Sequence, residues 1–176
     1  MSLETKALSD FQNVISCEMD LQDALAGGSL DGYAIRDTNL SRTSFENRML
    51  KNVLIHRTSM PSLRMDSMDA NAIQCTACNL RGCSMRDANI DGWNMLNCHA
   101  IECRFEDTLL QNGNFFESDL VNCNFNRSKI VKTQFQSNNM YGASFENAFL
   151  AQVQFSDPKM GNAELSRTNF SRAMII

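Results

Sequence analysis

The sequence predicts an all-β repeat rod, a solenoid, and three observations carry that prediction. Every residue whose number is a multiple of five from Leu30 to Ile175 falls in one apolar series, and Leu, Ile, Met or Phe fills 27 of its 30 places. Those four types make up 47 of the 176 residues, so chance would supply about 8. The residue two before each centre is small in 22 of the 30 repeats, and Gly, Asn or Asp recurs two after it, as at Gly32, Asn47, Gly82, Asp87, Gly92 and Asn122. Such residues accept positive φ or cap a turn with a local hydrogen bond. Neither a helix of period 3.6 nor a strand of period 2 holds a five-residue register, so the chain must turn a corner at each repeat.

Clear copies of the unit are Ala88-Asn89-Ile90-Asp91-Gly92, Ser118-Asp119-Leu120-Val121-Asn122, Cys123-Asn124-Phe125-Asn126-Arg127 and Ala143-Ser144-Phe145-Glu146-Asn147. In these the chain resembles the pentapeptide-repeat family, over residues 25–176. The resemblance implies a right-handed quadrilateral β-helix with four pentapeptides, or 20 residues, per coil. Residues 25–176 would then form about seven and a half coils, a rod on the order of 36 Å long. Positions 20 apart stack, which predicts aromatic ladders Phe105, Phe125, Phe145 and Phe115, Phe135, Phe155 on opposite sides of the interior. The Phe and Met are expected to pack and to hold no cofactor. Met68 and Ile73 beside Ala70 and Cys75, and Trp93 above Gly113, predict a continuous core in which volume is exchanged between neighbours.

Solenoid ends need covers. Residues 1–24 form the expected N-terminal cap. Within it Leu3, Ala7, Leu8, Phe11, Val14 and Ile15 are at helical spacing, so a short helix over 3–16 is expected, with Ser2 as N-cap and Glu4 in its first turn. Arg48, at an inward site near that end, is expected to meet an acidic residue of the cap. The C-terminal coils carry apolar Phe170, Met174, Ile175 and Ile176, which predict a two-fold homodimer there.

Cys75 and Cys78 form a CxxC, followed by Cys83, Cys98 and Cys103, a pattern that can ligate zinc. All five, and Cys123, fall on inward positions, so packing is the preferred reading and a metalloprotein the remote one. His56 and His99 face outward without a nucleophile or metal partner, and no phosphate-binding motif exists. A non-enzyme without cofactor or metal is expected. No secretory signal or spanning helix is evident, and seven cysteines fit reduced thiols. The chain reads as cytoplasmic, with secretion of an effector without cleavable signal left open.

The formal charge of -4 resides in residues 1–24, and the remainder has 15 acids and 15 bases. Some relatives resemble DNA in width and negative charge and bind DNA gyrase, which requires a strong one-sign field. Here the most acidic face, with Glu46, Asp66, Asp87, Glu106, Asp107, Glu146 and Glu164, is interrupted by Arg64, Arg86, Arg104, Arg127 and Arg167. Gyrase or topoisomerase modulation by DNA mimicry is therefore the alternative, direct nucleic-acid or membrane binding is not expected, and the first reading is a scaffold for another protein. Its site is the outward apolar residues: the column Ile101, Val121, Tyr141, the column Leu96, Phe116 at the neighbouring corner, and Leu109, Val131, Phe149 elsewhere.

Overall fold

A residue that takes positive φ every fifth position bends the chain at the same angle each time, and the bends close into a square. In the computed structural model, which describes residues 8–41, 43–156 and 174–175, every fifth residue from Gly32 to Gln152 has φ between 47° and 74°, with Arg42 outside the described residues. Arg57, Ala72, Ala77, Glu102, Glu117, Arg127 and Lys132 adopt this left-handed conformation as well as the Gly, Asn and Asp that prefer it. The square is thus imposed by the inward residues and not by corner chemistry alone. Every centre from Leu30 to Leu150 is buried, and so is every small site from Val53 to Ala148.

We number the four sides in chain order, beginning with the side centred on Ile35. Side one is an eight-stranded parallel sheet of β1 (Asn13–Ile15), β2 (Tyr33–Arg36), β4 (Leu54–His56), β6 (Gln74–Thr76), β8 (Asn94–Leu96), β10 (Asn114–Phe116), β12 (Gln134–Gln136) and β14 (Gln154–Ser156). Side four is a seven-stranded sheet of β3 (Met49–Lys51), β5 (Asp69–Asn71), β7 (Asn89–Asp91), β9 (Leu109–Gln111), β11 (Lys129–Val131), β13 (Phe149–Ala151) and β15 (Met174–Ile175). Sides two and three are joined between coils by isolated bridges such as His99 to Asp119 and Arg104 to Asn124. Their corners are closed β-turns, in which the centre's carbonyl accepts from the N–H three residues on, as Leu80 does from Cys83 at 3.0 Å.

The interior confirms the ladders. Phe105, Phe125 and Phe145 stack at 4.6 and 4.7 Å, Phe115, Phe135 and Phe155 at 4.8 and 5.1 Å, and the two rows meet edge to face, as Phe125 meets Phe135 at 5.8 Å. The parallel stacking follows from the strand spacing of about 4.8 Å. Met68, Ala70, Ile73 and Cys75 are all buried, as the volume exchange requires. Trp93 is buried above Gly113, where a Cβ would come within 3.3 Å of Phe115 and Thr133, so only glycine fits beneath the indole.

Both ends depart from expectation. The helix is α1 (Glu18–Ala26), not residues 3–16, and it runs past the expected cap boundary at residue 24. Asn13–Ile15 is a strand paired 20 residues ahead, Ile15 against Ile35. Ile15 therefore belongs to the five-residue series, and its burial in the interior overrides the helical spacing. The helix replaces pentapeptides within the first coil, buries Leu21, starts at Cys17 and ends at Gly27. Ser2 and Glu4 lie outside the described residues. Arg48 packs half-buried along a cleft with Gln22, Leu25 and Ala26, and among the described residues no carboxylate is within ion-pair distance of it. At the other end Ile175 pairs with Leu150, 25 residues back instead of 20, so the last coil contains one pentapeptide more than the others. The column that would have set Phe170 on Leu150 is overturned. Phe170 and Ile176 lie outside the described residues, as do Glu164 and Arg167.

Candidate protein-docking surface

Outward positions on a pentapeptide solenoid lie just before and just after each centre, and the structure splits the five expected docking residues into two groups. Leu96 and Phe116 are paired neighbours on side one. Ile101, Val121 and Tyr141 lie at the corner after side two, one per coil: Gly82 donates to the Ile101 carbonyl, Glu102 to Val121 and Asn122 to Tyr141, all at 2.8 to 2.9 Å. Four of the five are half-buried and Tyr141 is exposed. Between the groups runs the polar row His99, Asp119, Asn139, so they are two surfaces. Leu109, Val131 and Phe149 lie on side four, where the Lys129 ammonium is 6.0 Å from the Phe149 ring centre.

Side one has a property that residue-by-residue reading missed. From β6 to β14 its outward side chains are Gln, Asn, Thr, Ser, Leu and Phe, with no ionisable group. Within this face the Asn114 amide donates to the Asn94 side-chain oxygen at 2.8 Å. Side three, directly opposite, carries the charge, but its carboxylates are engaged along the rod. Glu46 pairs with Arg64, Asp107 with Arg127 at 2.7 Å and Glu106 with Arg86 at 3.6 Å. Asp66 accepts from the Ser84 hydroxyl at 2.5 Å and the Arg86 N–H at 2.9 Å, and Glu106, itself buried, accepts from the Asn124 amide at 3.0 Å. The Arg127 guanidinium holds the Asp107 carboxyl below the ordinary carboxylate range, as Arg57 does for Asp37 at the corner after side one.

The buried cysteines form two columns. Cys83, Cys103 and Cys123 donate to the carbonyls of Met60, Leu80 and Ala100 at 2.9 to 3.0 Å. Cys78 donates to the Ile55 carbonyl, and its N–H donates to the Cys98 sulfur at 3.5 Å. This column continues with Ser118, whose N–H donates to the Asn138 side chain. Hydrogen bonding to neighbouring thiols together with burial pushes the Cys75, Cys83 and Cys98 thiols up, and burial leads for Cys103. Neutral thiols that serve backbone carbonyls are packing groups. Among the described residues no three His, Cys, Asp or Glu converge on a metal-sized site, and no described helix is long and apolar enough to cross a membrane. His56 is half-buried on side one and His99 is exposed on side two.

The chain matches the family models described as "Pentapeptide repeat region" over residues 69–135 and "Pentapeptide repeats (8 copies)" over residues 118–157, together half of its length. No curated protein sequence matches it. Among solved structures, two of QnrB1, described as a plasmid-mediated fluoroquinolone resistance protein, are similar. One has TM-score 0.60 and 11% identity over 94% of this chain and 81% of that one; the other has 0.58 and 14% over 92% and 79%. HetL, a pentapeptide repeat protein involved in heterocyst differentiation regulation from the cyanobacterium Nostoc sp. strain PCC 7120, has TM-score 0.41 and 13% identity over 89% of this chain and 93% of that one. With a corner at every fifth residue, an inward centre in each repeat and both models matched, the chain belongs to the pentapeptide-repeat family.

Proposed function

We propose that this chain is a non-catalytic scaffold that docks another protein at the corner formed by Ile101, Val121 and Tyr141. One observation carries the reading: three apolar side chains, in register with the coils, stand outward on a rod whose backbone is bonded from coil to coil on all four sides. A rigid backbone holds such a row at fixed spacing and loses little freedom on binding. Replacing Val121 and Tyr141 by Asp keeps the far-ultraviolet circular dichroism spectrum and abolishes capture of the partner from the native host. Capture that survives the double substitution overturns the site.

Topoisomerase modulation by DNA mimicry is the second reading, and the likeness in fold to a fluoroquinolone resistance protein favours it. The engagement of Glu46, Asp66, Glu106 and Asp107 with Arg, Ser and Asn groups on the same side weakens the one-sign field that mimicry needs. A gyrase supercoiling assay with and without a fluoroquinolone separates the two readings, since the scaffold alters neither activity nor drug inhibition.

A further inference from the structure

We propose that side one is a homotypic interface, on which a second copy of this chain lays its own side one, with the two rods parallel and related by a two-fold axis along them. In such an isologous contact each patch meets its own image, so a face bearing one sign of charge repels itself. Side one from β6 to β14 bears none. Its amides both donate and accept, so a row such as Asn94 and Asn114 is complementary to its rotated copy, and Leu96 and Phe116 supply apolar contact beside it.

The flanking corners fix the direction. Along this stretch Glu117 is the charge at the corner after side one, and Lys132 is the charge at the corner before it. Neither forms an ion pair among the described residues. They lie 15 residues apart in sequence, three-quarters of a coil, or about 3.6 Å along the rod. Rotation about an axis parallel to the rod exchanges the two edges, which sets Glu117 of each copy opposite Lys132 of the other, twice per dimer. Antiparallel rods would instead face each charge with its own edge.

Sedimentation equilibrium of the full chain tests this. The wild type forms a reversible dimer. Glu117→Lys or Lys132→Glu alone weakens it about tenfold, and the double exchange restores it. Both positions have the same left-handed corner conformation, so each accepts the other's residue without refolding the corner. Phe116→Asp, in the middle of the face, abolishes the dimer while the thermal melt is retained. A monomeric wild type, a double exchange that fails to rescue, or a dimer that ignores these changes and dissociates with Ile175→Asp overturns the proposal; the last outcome would place the second copy at the C-terminal coils. Docking at Ile101, Val121 and Tyr141 uses other residues, so loss of the dimer interface leaves that reading standing.

Discussion

Sides one and three close the same interior from opposite directions, with one phenylalanine ladder each, yet their outer surfaces have little in common. Side one is a continuous parallel sheet, so its backbone already ties the coils together and its outward side chains are left neutral. Side three has only isolated bridges, and there side chains add ties between coils: Glu46 to Arg64, Asp66 to Ser84, Glu106 to Asn124 and Arg86, and Asn126 to the Ser144 hydroxyl at 2.5 Å. The difference teaches that charge on a solenoid is not automatically charge on display. Carboxylates on the less continuous side serve cohesion, and the side that needs no such help is the one free to adhere.

The largest test of this comparison concerns what the two sides share. Phe125→Ala on side three and Phe135→Ala on side one each remove a ring stacked on both faces and met edge-on by the other row. Each should cost about 3–5 kcal/mol, read from urea unfolding. Near-equal losses confirm that the interior is common to both sides. A loss confined to Phe125→Ala would mean that side one's sheet holds its coils without its ladder. Phe155→Ala, at the half-buried end of the row, costs less than either.

A smaller effect tests the corners. Ala77 leaves side one at φ 53° and Ser67 leaves side three at φ 55°. Glycine at either relieves left-handed strain of about 1–2 kcal/mol and gives back part of that in chain entropy. Ala77→Gly and Ser67→Gly should each therefore raise the melting temperature by roughly 1–3 °C, for a net gain of about 0.5–1 kcal/mol. A rise for only one of them would show that the two sides strain their corners differently.

Much of this was legible because the fold writes one inward residue every fifth place, as the unbroken burial from Leu30 to Leu150 shows. The same regularity hid the ends. Ile15 is in phase, but the residues centred at 20 and 25 form a helix, so the series looks as if it begins later. An added pentapeptide leaves a five-residue phase intact, which is why the 25-residue return to Ile175 left no mark in the sequence. Outward residues such as Val121 were assignable from register. The neutrality of side one was not noticed, because Gln74, Asn94 and Gln134 read as ordinary polar residues until their shared face is known. The pairing of Asp107 with Arg127 becomes visible only once four pentapeptides per coil are granted.

The smallest effect compares the two bidentate pairs, Asp37 with Arg57 beside side one and Asp107 with Arg127 beside side three. In both, the guanidinium donates two hydrogen bonds at 2.7 to 2.9 Å and the carboxyl titrates below its ordinary range. A carboxyl whose folded pKa lies below its unfolded value near 4 stabilises the fold above that value, and the contribution fades as pH falls through the folded pKa. Asp37→Asn and Asp107→Asn should thus lower the melting temperature slightly at pH 6 and leave it indistinguishable from wild type near pH 2. Both pairs are exposed, so added salt shrinks both differences. Equal responses would assign the contrast between the sides to their faces, because the corners would then be electrostatically alike. A response from Asp107→Asn alone would extend side three's use of charge for cohesion to its corner, and the neutral character of side one would then include its edge.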